Sequence, residues 1–526
     1  MIRGKQTGTL LSAYLGKRSL VAGSCFLIVY WVFGYDGITF SDEVSYLQLG
    51  HKLWNQQPVL TDYHFTSRWG AFLFSGFFTH IFGFSDRAAS IATLIFYLLT
   101  LYVVWSITPE AYKKLAVLFF VTHVYLLHFL SKVYPDGFLL LWTILIPAAA
   151  IWRSRKPVLA ALVMALAFFI GFCTKETIVL LAPFPLLLLV ADIRSKKRLL
   201  FYYSFAAFVL LIAVMYLGYY QWKCGDWAFR FKTIENGHYS SLYSFYDKSQ
   251  SEILKRISYL PIIRMIERTY WLWVTLAIPG IFYGIMGRYK ILHEFALTSL
   301  TVIIGFWWTT TSFQFYSPLP LNPRHLIILI APLSVCIAIG SYYWQSSRNW
   351  RAILAITLFL GGIYAIAYID WKVGAFYGVF AALLFLKNKR LQFATMAVAL
   401  LIPAMFSIYY QHRLKNYPQF LEVFKSEARK ATKQAPLLTH DFVYFSREIL
   451  LEEPDTPAQV LSLLEIDSLQ ANPPGSFTLF IYKYYQHAYP LEQEVLDHAK
   501  KWIDSHYVLI QEEQYPQISV KRFRIR

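Results

Sequence analysis

The chain has 526 residues, of which 57% are hydrophobic and only 15% are charged, whereas soluble proteins carry about 25% charged residues. Its net charge of +18 would indicate nucleic-acid binding in a soluble protein, but residues 411–526 hold 14 Lys and Arg against 15 Asp and Glu. The basic excess therefore belongs to residues 1–410, where membrane topology and phosphate contacts explain it, and no nucleic-acid partner is expected.

Apolar runs of membrane-spanning length recur from residue 19 to residue 410. Each crossing needs about 20 residues, and none of these runs alternates in character as barrel strands do. The first run has no small-residue cleavage site, which favours a retained helix over a signal peptide. The sequence thus predicts an α-helical polytopic membrane protein with about thirteen transmembrane helices, near 19–34, 88–107, 114–130, 137–152, 157–173, 176–192, 199–219, 270–287, 292–311, 324–345, 352–370, 372–387 and 391–410.

Basic residues occupy every second connection between these spans. By the positive-inside rule such connections face the cytoplasm, which places the N-terminus in the cytoplasm and the C-terminus outside the cytoplasmic (inner) membrane. All the cytoplasmic connections are short, whereas the long segments 35–87, 220–269 and 411–526 face outward, so we expect any chemistry there. The basic connections are 113–114, 153–156, 194–198, 288–290, 348–351 and 387–390.

Two adjacent carboxylates, Asp42 and Glu43, follow the first span in the outer loop 35–87. Ser41 could cap a helix that these residues enter, and acids in a first helical turn are ordinary. The functional interpretation is a carboxylate at the membrane surface that accepts a proton from an incoming hydroxyl group. The sequence leaves both interpretations open.

Further along the same loop, Arg68 precedes an apolar stretch, 71–84, that is too short to span and is predicted to lie along the interface. Its guanidinium could simply reach the lipid headgroups, or it could bind a phosphate. His51, His64 and His80 lie in the same region without the spacing of a metal site, so a divalent metal stays an open possibility.

Three later sites on the predicted outer face have charged side chains at the ends of spans. Asp136 lies where the third span ends and the fourth begins, and Arg324 and His325 open the tenth. Charges in such places are often interfacial anchors. Lys175 and Glu176 are more telling, because the tight turn between the fifth and sixth spans forces them close to the apolar zone. A simple internal ion pair is the alternative for these two.

The second outer loop, 220–269, ends in a segment that mixes apolar and basic side chains. This segment, 249–269, contains Lys255, Arg256, Arg264 and Arg268. The pattern is typical of a helix at the membrane surface that contacts lipid phosphates.

Residues 411–526 have the pattern of a small extracytoplasmic α/β domain. Strands are predicted at 436–445, 477–484, 506–511 and 517–525, an amphipathic helix at 490–505, and a turn at 473–475. We therefore divide the chain into a transmembrane catalytic module, 1–410, and a soluble domain, 411–526.

Carboxylates beside cations at headgroup depth suit the transfer of a sugar from a polyprenyl phosphate. The cations would stabilise the departing phosphate, and a carboxylate would deprotonate the acceptor. The short inner connections leave no place for a nucleotide-sugar-binding domain, so the donor should be lipid-linked.

The alternative function is a transporter or flippase of a lipid-linked glycan. In such a protein we would expect charges in the middle of the spans and inverted repeats. A non-catalytic scaffold would tolerate changes at Asp42 and the outer cations.

These motifs resemble the C-type (GT-C) glycosyltransferases, in particular protein O-mannosyltransferases and the lipid A aminoarabinose transferase. In that group an Asp-Glu pair follows the first span and leads into a Tyr-Leu helix, as residues 42–47 (DEVSYL) do here. A basic residue precedes an interfacial helix that ends in a Phe-Gly-Phe-Ser-like turn, as Arg68 and residues 82–85 do. The turn 174–175, the segment 323–325 and the thirteen spans followed by an outer α/β domain are also similar.

The resemblance implies an inverting glycosyltransferase with Asp42 as catalytic base and Glu43 beside it in acceptor or metal contact. It implies a polyprenyl-phosphate-sugar donor, an envelope acceptor that is a lipid, glycan or protein, and membrane lipids as surroundings. Two departures stand out: Arg68 replaces a customary lysine, and Glu176 replaces a customary glycine. The implied phosphate-binding residues are Arg68, Lys175 and Arg324, and those lining the cavity are Asp136, Glu176, His325 and His64.

Overall fold

The structure, a computed structural model, describes residues 9–238, 244–287, 289–312, 314–454 and 459–526. The first half of the membrane region is almost wholly helical, because an apolar chain in lipid must satisfy its backbone hydrogen bonds internally. Short 3₁₀ turns at His64–Ser67, Phe129–Ser131 and Glu176–Leu181 separate some of the helices. The helices are α1 (Thr9–Phe33), α2 (Asp42–Trp54), α3 (Trp69–Phe82), α4 (Asp86–Ile107), α5 (Lys113–Val121), α6 (Val124–His128), α7 (Pro135–Trp152), α8 (Pro157–Thr174), α9 (Pro183–Arg194) and α10 (Leu200–Cys224).

The second half of the membrane region begins with short helices from the outer loop 220–269 and continues with longer ones. The last helix, α20, crosses the predicted domain boundary at residue 410 and ends at Lys415. The helices are α11 (Phe229–His238), α12 (Gln250–Ile257), α13 (Leu260–Glu267), α14 (Tyr270–Ile285), α15 (Lys290–Trp308), α16 (Pro323–Leu326), α17 (Ile330–Ser346), α18 (Arg348–Tyr368), α19 (Trp371–Leu383) and α20 (Lys389–Lys415).

Ten of the thirteen predicted spans fall on a single helix, and the other three, 114–130, 176–192 and 324–345, each fall on two or more consecutive helical segments. Among the described residues, nine helical segments are long and apolar enough to cross a membrane, and the bent pair α5–α6 makes a tenth. That pair is bent by 61°, so the predicted span 114–130 is a broken helix. Helices α14 and α19 have only 16 and 13 residues, fewer than a full crossing needs. The chain is a multi-pass membrane protein.

A buried ion network joins the ends of several helices near the predicted cytoplasmic connections. Arg153 contacts Asp192 at 2.7 Å and Glu294 at 2.5 Å, and Asp192 also contacts Lys197 at 2.6 Å. The network therefore brings three of the predicted cytoplasmic connections close together. Arg288, in one of them, lies outside the described residues.

The C-terminal domain is a mixed five-stranded sheet covered by helices. The strand order is β2-β1-β3-β5-β4, in which β1 pairs in parallel with β2 and β3, and β5 pairs antiparallel with β3 and β4. The elements are α21 (Tyr417–Lys430), β1 (Leu437–Thr439), α22 (Asp441–Phe445), α23 (Arg447–Leu451), β2 (Val460–Ser462), α24 (Ile466–Ala471), β3 (Ser476–Tyr482), α25 (Tyr485–Ala488), α26 (Glu492–His506), β4 (Tyr507–Gln514) and β5 (Ile518–Ile525).

The prediction for this domain was correct for three strands and the long helix, and wrong at 436–445. Only β1 forms there, because the aromatic residues that follow enter α22, where Phe442 and Val443 are buried by tertiary contacts. Strand β2 was not predicted, since three residues are too few to show an alternating pattern.

The C-terminal domain packs directly on the outer loop just before Asp42. The ring of Phe40 lies edge-on to those of Phe420 and Phe442, with centroids 5.6 and 5.3 Å away, and the backbone of Phe40 has φ +57°. Tyr489 donates its hydroxyl hydrogen to the carbonyl oxygens of Thr39 and Phe40, at 2.7 and 3.0 Å. These contacts fix the approach of the chain to α2.

Beneath this contact, Asp36 lies buried between two lysines. Lys132 pairs with one carboxylate oxygen of Asp36, and Lys415 lies 3.2 Å from the other. Lys415 also donates to the Ile38 carbonyl oxygen at 2.9 Å. Because breaking a buried ion pair leaves an uncompensated charge, this network ties α20 firmly to the outer loop.

Gly37 provides a test of this packing. Its φ of +76° favours glycine, and a Cβ atom there would overlap the ring of Tyr417. Gly37→Ala should therefore lower the thermal unfolding midpoint of the purified protein and increase proteolytic release of the C-terminal domain. Gly83→Ala is the matched control, since Gly83 also has a positive φ but no atom lies within 4 Å of its Cβ position. The control should show only the backbone cost of roughly 1–3 kcal/mol, and equal effects of both variants would contradict the prediction.

Candidate active site

The first residue of α2, Asp42, forms an ion pair with the first turn of α16. Its Oδ2 accepts a hydrogen bond from Nη2 of Arg324 at 2.7 Å. The Arg324 guanidinium also lies over the ring of Tyr134, 4.8 Å from the centroid. Two residues that are 282 positions apart in sequence thus meet.

His325 holds the Arg324 side chain in place. Nε of Arg324 donates to Nε2 of His325 at 3.3 Å, and Nδ1 of His325 lies 2.9 Å from the Pro320 carbonyl oxygen. A neutral imidazole with its proton on Nδ1 satisfies both contacts at once. His325 therefore orients Arg324 without adding charge to the site.

All three cations predicted to bind phosphate act on the Asp42 carboxylate. Burial by itself would raise its pKa, but Arg324, and with it Lys175 and Arg68, outweigh burial and hold the pKa of Asp42 below its usual value. The carboxylate is therefore ionised at neutral pH and able to accept a proton.

Lys175 lies at the end of α8 and points to Asp136 in the first turn of α7. Its Nζ is 2.7 and 2.9 Å from the two carboxylate oxygens of Asp136, which is fully buried. Burial, together with the nearby Arg324 and Arg68, lowers the pKa of Lys175 to about 8, although Asp136 opposes the change. The site therefore contains a cation that titrates close to physiological pH.

Glu176 bridges two arginines. Arg68 donates to it from Nη2 at 2.7 Å and from Nε at 3.1 Å, and donates from Nη1 to the Tyr46 hydroxyl at 2.9 Å. Arg230, on α11, pairs with the other oxygen of Glu176 and donates to Ser67 Oγ at 2.5 Å. One acid thus lies between two guanidinium groups, and this cluster keeps a positive charge.

Sequence reasoning missed Arg230, although the basic excess of the outer loop 220–269 was a sign of it. Arg230 also donates to the carbonyl oxygen of His64 at 2.9 Å. The His64 ring packs edge-on to Phe65, with centroids 4.4 Å apart. The structure therefore places His64 beside the arginine cluster through its main chain.

Glu43 points away from Asp42 and is fully buried. Its Oε1 accepts from the Val133 N–H at 2.8 Å, and its Oε2 accepts from the Thr39 N–H at 2.9 Å. Burial raises the pKa of Glu43, although Lys132 and these N–H groups oppose the shift. The carboxylate fastens the residues before α2 to the start of α7.

The donor set at this site does not suit a divalent metal. The two adjacent acids do not converge, since the Glu43 oxygens accept backbone hydrogens and Asp42 is paired with Arg324. Across the described part of the chain, no group of three or more His, Cys, Asp or Glu side chains is placed to hold a metal ion.

Two crystal structures of ArnT from Cupriavidus metallidurans are similar to this chain over nearly its whole length. The apo form gives a TM-score of 0.57 at 13% identity and covers 96% of this chain and 97% of that chain. The form bound to undecaprenyl phosphate gives 0.59 at 13% identity and covers 95% and 97%. No protein-family model and no curated protein matches the sequence. The similarity confirms the predicted GT-C fold with its small C-terminal domain.

Proposed function

We propose that this multi-pass membrane protein is an inverting glycosyltransferase that moves a sugar from a polyprenyl-phosphate donor to an envelope lipid, glycan or protein. The reaction would take place on the outer face of the cytoplasmic membrane, with the N-terminus in the cytoplasm and the C-terminal domain outside. The main support is one observation: an ionised carboxylate, Asp42, hydrogen-bonds Arg324 and lies in the field of Lys175 and Arg68. The GT-C fold and the undecaprenyl phosphate bound to the similar ArnT structure agree with it.

The proposed reaction is a single displacement at the anomeric carbon of the sugar. The acceptor hydroxyl oxygen attacks this carbon as its proton passes to Asp42, and the bond between the anomeric carbon and the phosphate oxygen breaks. The electron pair of that bond stays on the phosphate oxygen, so the polyprenyl phosphate leaves with an additional negative charge. One displacement inverts the anomeric configuration.

The cations of the site would stabilise the departing phosphate. Arg324, Lys175 and Arg68 are fixed by contacts with Asp42, Asp136 and Glu176, respectively, and fixed charges need no reorganisation as the phosphate charge develops. A bound phosphate would compete with these carboxylates for the same N–H donors. The three acids therefore hold the donor site in shape before the lipid arrives.

Four residues of the predicted site have positioning roles in this proposal. Asp136 orients Lys175, Glu176 orients Arg68, His325 orients Arg324, and Glu43 anchors the segment that carries Asp42. Because the Glu43 oxygens are occupied by backbone donors, we assign it no contact with acceptor or metal.

The proposal can be tested by incubating the purified protein with radiolabelled polyprenyl-phosphate sugars and envelope extracts. Release of free polyprenyl phosphate together with labelled acceptor is the expected result. Movement of an intact lipid-linked sugar across sealed vesicles, with no cleavage of its sugar–phosphate bond, would instead show a flippase and overturn the proposal.

The lowered pKa of Lys175 predicts how donor use depends on pH. An anionic donor binds the protonated lysine, so kcat/KM for the donor, which reports the free enzyme, should fall as the pH rises through about 8. Asp42 stays ionised throughout this range and does not produce the change. In Lys175→Arg the charge persists to higher pH, and the alkaline fall should disappear. An unchanged pH profile in Lys175→Arg would remove Lys175 from the donor site.

A further inference from the structure

A second group of cations surrounds a cavity outside the proposed active site. The cavity lies between α13 and residues 318–323 and has a volume of about 320 Å³. Four basic side chains line it, and no acidic side chain does so among the described residues. We call it the cationic cavity; the four side chains are Lys248, Arg256, Arg264 and Arg268.

The charges of the cationic cavity are only partly compensated. Arg264 pairs with Glu267 at 2.6 Å, whereas Arg256 donates to uncharged carbonyl oxygens, those of Phe306 and Leu319 among them. The Arg268 side chain has no hydrogen-bond partner within the described ranges, and its Nε is buried. The cavity therefore has a net positive charge and at least one guanidinium with free donors.

Aromatic and apolar side chains indicate that the cationic cavity lies at headgroup depth. Trp307 and Trp308, at the outer end of α15, both donate their indole N–H to the Ile257 carbonyl oxygen, at 2.8 and 2.9 Å. Tryptophan is enriched at this depth. Leu254 and Tyr259 are exposed on the helix pair α12–α13, as expected of helices that lie on a lipid surface.

We propose that the cationic cavity binds the phosphate of an anionic phospholipid in the outer leaflet. A guanidinium such as that of Arg268 offers paired N–H donors that match phosphate oxygens. Leu260 and Leu321, which also line the cavity, suit the apolar part of a lipid better than a free ion. The site is separate from the catalytic residues, so the proposal does not depend on glycosyl transfer.

Lipid binding at this cavity would act on a segment that leads to the active site. The residues that line the cavity extend to Pro323, and the next residue, Arg324, contacts Asp42. Tyr270 already holds this segment by donating its hydroxyl hydrogen to the Pro323 carbonyl oxygen at 2.8 Å. A bound phospholipid would contact the same segment.

The proposal is tested by native mass spectrometry of the full chain after exchange into equal amounts of phosphatidylglycerol and phosphatidylcholine. The wild type should retain phosphatidylglycerol preferentially, and Arg264→Gln with Arg268→Gln should weaken that retention about tenfold. The control pair, Lys232→Gln with Lys500→Gln, removes the same charge from exposed side chains that pair with Asp226 and Asp497. It should retain the lipid as the wild type does.

Three results would overturn the proposal. One is undiminished retention of phosphatidylglycerol in the Arg264/Arg268 variant, and another is an equal loss in the control pair, which would indicate only general surface charge. The third is displacement of the lipid by millimolar inorganic phosphate alone, which would show that a free anion is the ligand. Arg256 is left intact because its carbonyl contacts support the fold, and unfolding midpoints in phosphatidylcholine verify that each variant is folded.

Discussion

Asp42→Asn should lower turnover by roughly 10³-fold, within the range of about 10²–10⁴ that a general base contributes. The amide has the shape of the carboxylate and can still accept the hydrogen bond of Arg324 at its oxygen, but it cannot take up the acceptor proton. Binding of the donor should be preserved or tighter, because the variant removes a negative charge that competes with the phosphate for Arg324. Initial rates at saturating donor and a separate donor-binding measurement distinguish these effects.

The matched control for this variant is Asp497→Asn. Asp497 is an exposed acid of the C-terminal domain that contacts Lys500 and Gln493, so the same chemical change there should leave turnover unaltered. Normal turnover by purified, folded Asp42→Asn would show that another group accepts the proton, and the assignment of the base would then be wrong.

Arg324→Gln should lower turnover by roughly 10²-fold or more, as expected for loss of one group that stabilises developing charge. A second effect follows from the lowered pKa of Asp42, which depends most strongly on Arg324 among the neighbouring charges. Without Arg324, burial should raise this pKa, so the base becomes protonated at higher pH. The acid limb of the pH–rate profile should therefore move to higher pH.

The shift of the acid limb separates an electrostatic role of Arg324 from a structural one. Arg324→Lys keeps the charge and should retain most of the original acid limb, although the hydrogen bond from Nε to His325 is lost. Arg413→Gln, which removes an exposed arginine in the last turn of α20, should change neither turnover nor the acid limb. An acid limb that stays in place in Arg324→Gln would contradict the proposed coupling.

The transmembrane helices and the charged turns could be predicted because their signals are local. A long apolar run predicts a transmembrane helix wherever it occurs in the sequence. The tight turn at Lys175 and Glu176 likewise predicted that these charges lie at a helix end. The number of full crossings was harder to obtain, since α14 and α19 are too short to span and α5 and α6 form a broken helix.

The pairings within the site could not be predicted, because they join distant parts of the sequence. Arg230 lies 54 residues from Glu176, and Lys132 lies 96 residues from Asp36. Glu43 shows a different problem: its position beside Asp42 suggested a shared role, but successive helical residues point about 100° apart. Glu43 therefore faces Val133, whereas Asp42 faces Arg324.

The contact of the C-terminal domain with Phe40 and Thr39 has a consequence for protein engineering. The hydroxyl of Tyr489 and the ring of Phe442 form part of the support for the chain immediately before Asp42. A truncated protein that ends after α20 would lose that support, and a chimaera would retain it only if the exchanged domain supplied equivalent groups. The membrane helices and the C-terminal domain should therefore be exchanged as one unit.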